Sequence, residues 1–149
     1  MAENKIDPEQ AYRTLLIIWA ALVVSQFFFI VILFVLRPAL FKFEFTQPLI
    51  GSNPVIILIG GAIAVSNLFL SFIFKKRFLD QSVNEQNVGL VQTAMIAACA
   101  LCESISMIGL VAAFIANYQY FFIFFALGIL GMLFHMPKRN DIHAATFKK

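Results

Sequence analysis

One stretch of the chain, residues 92–115, reads QTAMIAACALCESISMIGLVAAFI. It is about as long as a membrane-spanning helix, which needs roughly 20 apolar residues. It contains a single charged side chain, Glu103, which lies near its middle. Because a carboxylate is costly in hydrocarbon, an acidic residue at that depth is a candidate functional residue by default.

The composition of the whole chain indicates an integral membrane protein. Of its 149 residues, 61% are hydrophobic and 13% are charged, and the mean hydropathy is +0.88. Soluble domains carry about 25% charged residues. The net charge of +3 comes from Lys and Arg residues that flank apolar runs, where such residues orient helices in the bilayer. The sequence therefore predicts the lipid bilayer as a partner and does not indicate nucleic-acid binding.

Four apolar segments without charges at their centres, apart from Glu103, predict four transmembrane helices. Proline follows the first segment at Pro38 and opens the second at Pro54, as expected at helix ends. Residues 78–87 are predicted to form a polar loop. The predicted fold is an all-α, integral membrane four-helix bundle in a single domain, arranged as two antiparallel hairpins. Its spans cover about residues 14–36, 54–74, 89–116 and 120–136.

The distribution of basic residues predicts the orientation. Nine of the eleven Lys and Arg residues lie in the N-terminal segment, the second loop and the C-terminal tail. Since basic residues favour the cytoplasmic side, both termini are predicted to be cytoplasmic, in a multi-pass protein of the cell inner (plasma) membrane. The polar first residues lack the basic start and cleavage site of a signal peptide, so the first span is expected to be retained.

The side chains around Glu103 suggest reversible binding of a cation. A helix places residues three and four positions away on the same face; for Glu103 these are Cys99, Ala100, Ser106 and Met107. Small neighbours let a partner helix exclude water, which favours the neutral carboxyl, whereas water or a cation favours the carboxylate. Such a group can carry a proton. With hydroxyls from Ser104 and Ser106 it could hold a small hard cation. A Glu103 that only hydrogen-bonds between helices is the alternative.

Other kinds of chemistry are not indicated. Cys99 and Cys102 form a CxxC pair, but a metal site needs further ligands, and two small packing residues are the better interpretation. The sequence has no Ser/His/Asp grouping, phosphate loop or paired carboxylates, so we expect neither an enzyme nor a bound cofactor. Gln26 is expected to form an interhelical hydrogen bond, and His135 to lie at the membrane interface.

Two patterns concern the packing of the segments. Gly60, Gly61, Ala62 and Ala64 form a small-residue patch on the second segment, where another backbone can approach closely. We expect this patch and the small residues of the third segment to support a homo-oligomer or contacts with other subunits of a membrane complex. In addition, residues 13–34 align with residues 92–113 as a weak internal repeat, of the kind found in membrane transport folds.

The third segment also carries a set of family-like features. Thr93 lies near its start, Ala100-Leu101-x-Glu103 surrounds the acid, and Gly109-Leu110-Val111-x-Ala113-Phe114 follows. Together with the preceding polar loop, this pattern resembles the carboxylate-bearing helix of the rotor-ring c subunits (proteolipids) of rotary ATP synthases. The resemblance implies that Glu103 is the ion-binding carboxylate and that Ser104 is the hydroxyl of sodium-binding members. Asn67 could stand in for the glutamine on their first helix.

Two functional hypotheses follow from these observations. The first is a small oligomeric, c-subunit-like proteolipid in which Glu103 reversibly binds a proton or a sodium ion. Its further candidate ligands are Ser104, Ser106 and Asn67. The second is a non-transporting membrane scaffold or assembly protein in which the buried glutamate is structural.

Overall fold

The computed structural model describes residues 7–42, 46 and 48–146. Helices are the only regular secondary structure in these residues, which confirms the prediction of an all-α protein. A short 3-10 helix, Pro38–Phe41, follows the first of five α-helices. These are α1 (Pro8–Leu36), α2 (Pro54–Glu85), α3 (Val88–Ala116), α4 (Phe122–Phe134) and α5 (Arg139–Thr146).

Three of the helices, α1, α2 and α3, are long and apolar enough to cross a membrane. The 29 residues of α1 extend about 44 Å at 1.5 Å per residue, against a hydrocarbon core of about 30 Å. Large apolar side chains, such as those of Phe28, Val35, Leu58 and Phe69, are exposed on the outer faces of α1 and α2. In a bilayer these side chains would contact lipid, so the exposed surface is that of a membrane protein.

Helix α4 is shorter than its predicted span of residues 120–136. Its 13 residues extend only about 20 Å, less than the hydrocarbon core. After α4 the chain bends by 46° into α5, and the two helices qualify as a fourth span only if they are counted together. The sequence analysis predicts no helix after residue 136, so α5 is an addition to the predicted fold.

Helix α2 continues well beyond the predicted span, and the predicted polar loop over residues 78–87 is wrong. Residues 75–85 contain neither proline nor glycine and remain helical. Leu79 packs beside the core cluster that includes Leu15 and Val91, and Ser82 is fully buried. The polar composition thus reflects exposed side chains on a continuing helix and not the end of the helix. The turn itself is short, with Gln86 left-handed at φ 51° and Asn87 capping α3.

Helix α3 is the centre of the packing, and α1, α2 and α4 each lie against it. It can accept three neighbours because most of its buried residues are small, among them Ala98, Cys102, Gly109 and Ala113. Helix α2 precedes α3 and helix α4 follows it, each through a tight turn, so both run antiparallel to α3. In the described residues α1 packs against α3, α4 and α5 and not along α2, so the predicted hairpin of the first two helices is not a packed pair.

Helix α1 runs parallel to α3 at a nearly constant sequence offset. Ser25 contacts Glu103, 78 residues away, and Arg37 donates to the side chain of Asn117, 80 residues away. The offset of the weak internal repeat, 79 residues, matches this register. The repeat therefore aligns residues that lie at the same depth in the structure.

Helix α5 covers the other end of the helices. Ile142 and Ala145 are buried in the same cluster as Leu15. The Arg139 guanidinium lies 4.9 Å from the centre of the Tyr12 ring and 3.4 Å from a carboxylate oxygen of Glu9. Helix α5 thus packs against the start of α1, at the end of the molecule where the α2–α3 turn also lies.

Candidate functional site

Glu103 lies at the middle of α3, half-buried at the contact with α1. Its Oε1 atom is 2.9 Å from the hydroxyl of Ser25. The same hydroxyl is 2.7 Å from the carbonyl oxygen of Leu22, one turn earlier in α1. Sequence analysis did not identify Ser25 as a partner of Glu103. The internal repeat contained the signal, because its offset places α1 residues 24 and 25 opposite residues 103 and 104.

The Ser25 hydroxyl can serve both protonation states of Glu103. A serine hydroxyl has one proton to donate and two lone pairs to accept with, and a neutral carboxyl has one proton to donate. With an ionised Glu103, Ser25 donates to the carboxylate. With a neutral Glu103, the carboxyl can donate to Ser25 Oγ while Ser25 donates to the Leu22 carbonyl. The pair therefore stays hydrogen-bonded whether or not the carboxyl holds a proton.

Ser104 and Asn67 meet at the contact between α3 and α2. The Asn67 amide donates to Ser104 Oγ at 2.7 Å, and the Ser104 hydroxyl donates to the Leu101 carbonyl at 2.6 Å. Sequence analysis grouped these two residues, and the structure brings them together. They lie on a different side of α3 from the carboxyl of Glu103, because consecutive helical residues point about 100° apart.

Ser106 faces the third neighbour of α3. It is fully buried against Gly128 of α4, and its hydroxyl has no hydrogen-bond partner in the described residues. Glu103, Ser104 and Ser106 are thus directed at α1, α2 and α4 respectively. The structure does not arrange Glu103, Ser104 and Ser106 around one point, and the side-chain oxygen next to the carboxyl comes from Ser25.

Glu103 borders a part of α3 that its neighbours leave uncovered. Ala100 and Met107, at three and four positions from Glu103, are both exposed, and residues at this spacing are neighbours on one helix face. The exposed strip continues to Val111, 47% exposed. The carboxyl therefore lies beside the outer surface of the molecule and is not sealed within the helix contacts.

Three other side chains near Glu103, those of Gln26, Cys99 and Cys102, are packed inside the protein. Gln26, next to Ser25, is fully buried, but within the described residues neither of its amide atoms has a hydrogen-bond partner. The predicted interhelical hydrogen bond of Gln26 is absent from the structure. Cys99 and Cys102 are free and buried, and Cys102 packs against Gly131 of α4.

His135, predicted to lie at the membrane interface, has a fully buried side chain at the end of α4. Its Nε2 atom is 2.8 Å from the hydroxyl of Ser71 on α2, and its ring lies 4.6 Å from that of Phe72. The residue is buried because the bend after α4 turns it inward, towards α2. Its other ring nitrogen, Nδ1, has no hydrogen-bond partner in the described residues.

The described residues contain no group of three or more His, Cys, Asp and Glu side chains that could hold a metal ion.

Comparisons of the chain with protein-family models, with curated proteins and with solved structures gave no match.

Proposed function

We propose that this chain is a small, oligomeric, multi-pass membrane protein in which Glu103 reversibly binds a proton within the bilayer. The observation that carries the proposal is the Glu103–Ser25 pair: a carboxyl at mid-membrane depth beside a hydroxyl that can hydrogen-bond either protonation state. A proton needs only that carboxyl. A sodium ion needs several oxygens at about 2.4 Å, and Ser104 and Ser106 are directed elsewhere.

The proposal includes the arrangement in the membrane. We place four spans in the cell inner membrane, with the α4–α5 pair as the fourth, and both termini on the cytoplasmic side, where basic residues are favoured. The contact of Arg139 with Glu9 supports a common side for the two ends. The likeness of α3 to the carboxylate helix of rotor-ring c subunits supports the same role for Glu103.

Carbodiimide labelling tests the site directly. Dicyclohexylcarbodiimide partitions into the bilayer and reacts with a neutral carboxyl, so we expect an adduct on the peptide that contains Glu103, formed faster at acidic than at alkaline pH. Glu103→Gln should lose this adduct. Labelled Glu85 or Asp80 with an unlabelled Glu103 would contradict the proposal, and protection of Glu103 by sodium chloride but not by potassium chloride would replace the proton by a sodium ion.

A second candidate function is a membrane scaffold that transports nothing. The observation that favours it is that the Ser25–Glu103 contact joins α1 to α3, so the carboxyl could serve only to hold α1 in place. In that case Ser25→Ala and Glu103→Leu should loosen α1 to a similar extent, and Glu103 should not react with the carbodiimide at any pH.

Self-association is proposed through the small-residue patch of α2, and the structure sharpens its test. A Cβ atom on Gly61 would meet nothing within 4 Å, whereas one on Gly60 would lie 2.9 Å from Ile108 of the same chain. Gly61→Leu alone should therefore block a close approach of a second copy without disturbing the monomer. We expect the oligomer band on a native gel to be lost, and an unchanged band would refute this interface.

A further inference from the structure

A pocket of about 350 Å³ opens between the later half of α2 and the end of α4. This volume lies within the range of small-molecule sites, about 300–1,000 Å³. Three lysines, Lys75, Lys76 and Lys138, are among the residues that line it, together with one acidic residue, Asp80. Asp141 lies on the α5 side of Lys75, in a neighbouring small cavity.

The positive charge of this lysine pocket is not neutralised by ion pairs in the described residues. The ion pairs within 4.0 Å are those of Glu9 with Arg13 and Arg139, at the start of α1. Lys75 is half-buried, so its ammonium group has lost part of its hydration. A partly dehydrated cation with no ion pair within 4.0 Å is a favourable place for an anionic ligand.

His135, one of the residues that line the lysine pocket, carries a hydrogen-bonding atom without a partner in the described residues. His135 lines the pocket, is fully buried, and is fixed by the contact of its Nε2 atom with Ser71. Its Nδ1 atom has no partner in the described residues. A buried polar atom without a partner is costly, and an acceptor oxygen of a ligand would satisfy Nδ1 in the tautomer that carries the ring proton there.

The depth of the lysine pocket indicates where the ligand comes from. Phe72 and Phe134 also line it, and both are exposed on the lipid-facing side, by 44% and 69%. Lys75 and Lys76 follow Phe72 along α2, and Lys138 follows Phe134, so each element passes from apolar to basic at this level. A phospholipid has the same order of groups along its length, with apolar acyl chains followed by a charged headgroup.

We propose that the lysine pocket binds the phosphate headgroup of an anionic phospholipid. The three lysines contact the phosphate and its negative charge. In the tautomer with the proton on Nδ1, His135 accepts from the Ser71 hydroxyl at Nε2 and donates from Nδ1 to a phosphate oxygen. The two phenylalanines lie along the first part of the acyl chains. Basic pockets between membrane helices on the cytoplasmic side bind lipid headgroups in this way.

Lipid-dependent thermal stability of the purified protein in a neutral detergent tests the proposal. We expect short-chain phosphatidylglycerol to raise the Tm saturably, and short-chain phosphatidylcholine and glycerol 3-phosphate to have no comparable effect at the same concentrations. The double variant Lys75→Gln/Lys138→Gln should need about thirty-fold more phosphatidylglycerol for half the effect, since each basic residue near anionic lipid contributes roughly a factor of five.

Matched variants separate a site from general charge attraction. Arg13→Gln/Arg77→Gln removes two charges from the same end of the molecule but outside the lysine pocket, and it should keep the wild-type response. Lys75→Arg/Lys138→Arg preserves the charges and should also retain a response. If Lys75→Gln/Lys138→Gln fails to fold, the exposed single variant Lys76→Gln should still need about fivefold more lipid.

Three results would overturn the proposal. The first is an equal response to phosphatidylcholine, and the second is an equal loss in the Arg13→Gln/Arg77→Gln control. The third is an equal response to glycerol 3-phosphate, which would make the site one for a free phosphate ester and not for a lipid.

Discussion

Gly128→Leu should prevent α4 from packing against α3 and should lower the free energy of unfolding by about 3 kcal/mol, at the upper end of overpacking penalties. A side chain at this position would overlap the Ser106 hydroxyl and lie 2.8 Å from the backbone oxygen of Cys102. Because the second clash is with backbone, a rotamer change cannot relieve it, and the two helices must separate.

Gly61→Leu is the matched control for this effect. The same two residue types are exchanged within a helix, so both variants gain a similar helix propensity, up to about 1 kcal/mol. Gly61 has open space around it, however, and only Gly128 has a steric conflict. Unfolding of the monomer in mixed micelles, followed by circular dichroism, should show the loss for Gly128→Leu alone. Equal stability of the two variants would mean that the α3–α4 contact is not as described.

Glu103→Gln should reduce proton flux through reconstituted liposomes to the level of protein-free vesicles. Glutamine keeps the shape of glutamate and can still accept a hydrogen bond from Ser25. Its amide, however, does not take up a proton near neutral pH. The substitution therefore removes the proposed chemistry with little change in packing. Flux is measured from the decay of an imposed pH gradient with a fluorescent dye inside the vesicles.

Ser104→Ala is the control for the flux measurement. Ser104 is adjacent to Glu103 and its hydroxyl is engaged between α2 and α3, so its loss should affect packing but leave flux in place. Unchanged flux in Glu103→Gln would remove the proton-binding function and leave the scaffold. Equal loss in both variants would show that the flux follows the integrity of the helix contacts and not the carboxyl.

The proposed proton site and the proposed lipid site lie in different parts of the molecule and can fail separately. Glu103 is at mid-depth in α3, beside α1, whereas the lysine pocket is between α2 and the end of α4. A variant with Lys75 and Lys138 replaced should keep its carbodiimide label, and Glu103→Gln should keep its response to phosphatidylglycerol.

Hydropathy by itself determined the helical class and the presence of three long apolar helices, and it singled out Glu103 as the charged residue inside one of them. These are local properties, because a run of about 20 apolar residues needs no partner to be recognised. The start of α2 at Pro54 was also readable, since proline favours the first turn. The conformation of residues 78–87 could not be read from the sequence, because polar side chains are equally compatible with a loop and with a helix that has left the lipid.

Only the tertiary structure decided which side chain meets which. Glu103, Ser104 and Ser106 are close in sequence, yet the 100° step of a helix directs them at three different neighbours. The partner of the carboxyl, Ser25, is 78 residues away, and its position follows from the packing of α1 along α3. The burial of His135 likewise depends on the bend between α4 and α5. Sequence patterns describe one helix at a time, whereas a site between helices exists only once their register is set.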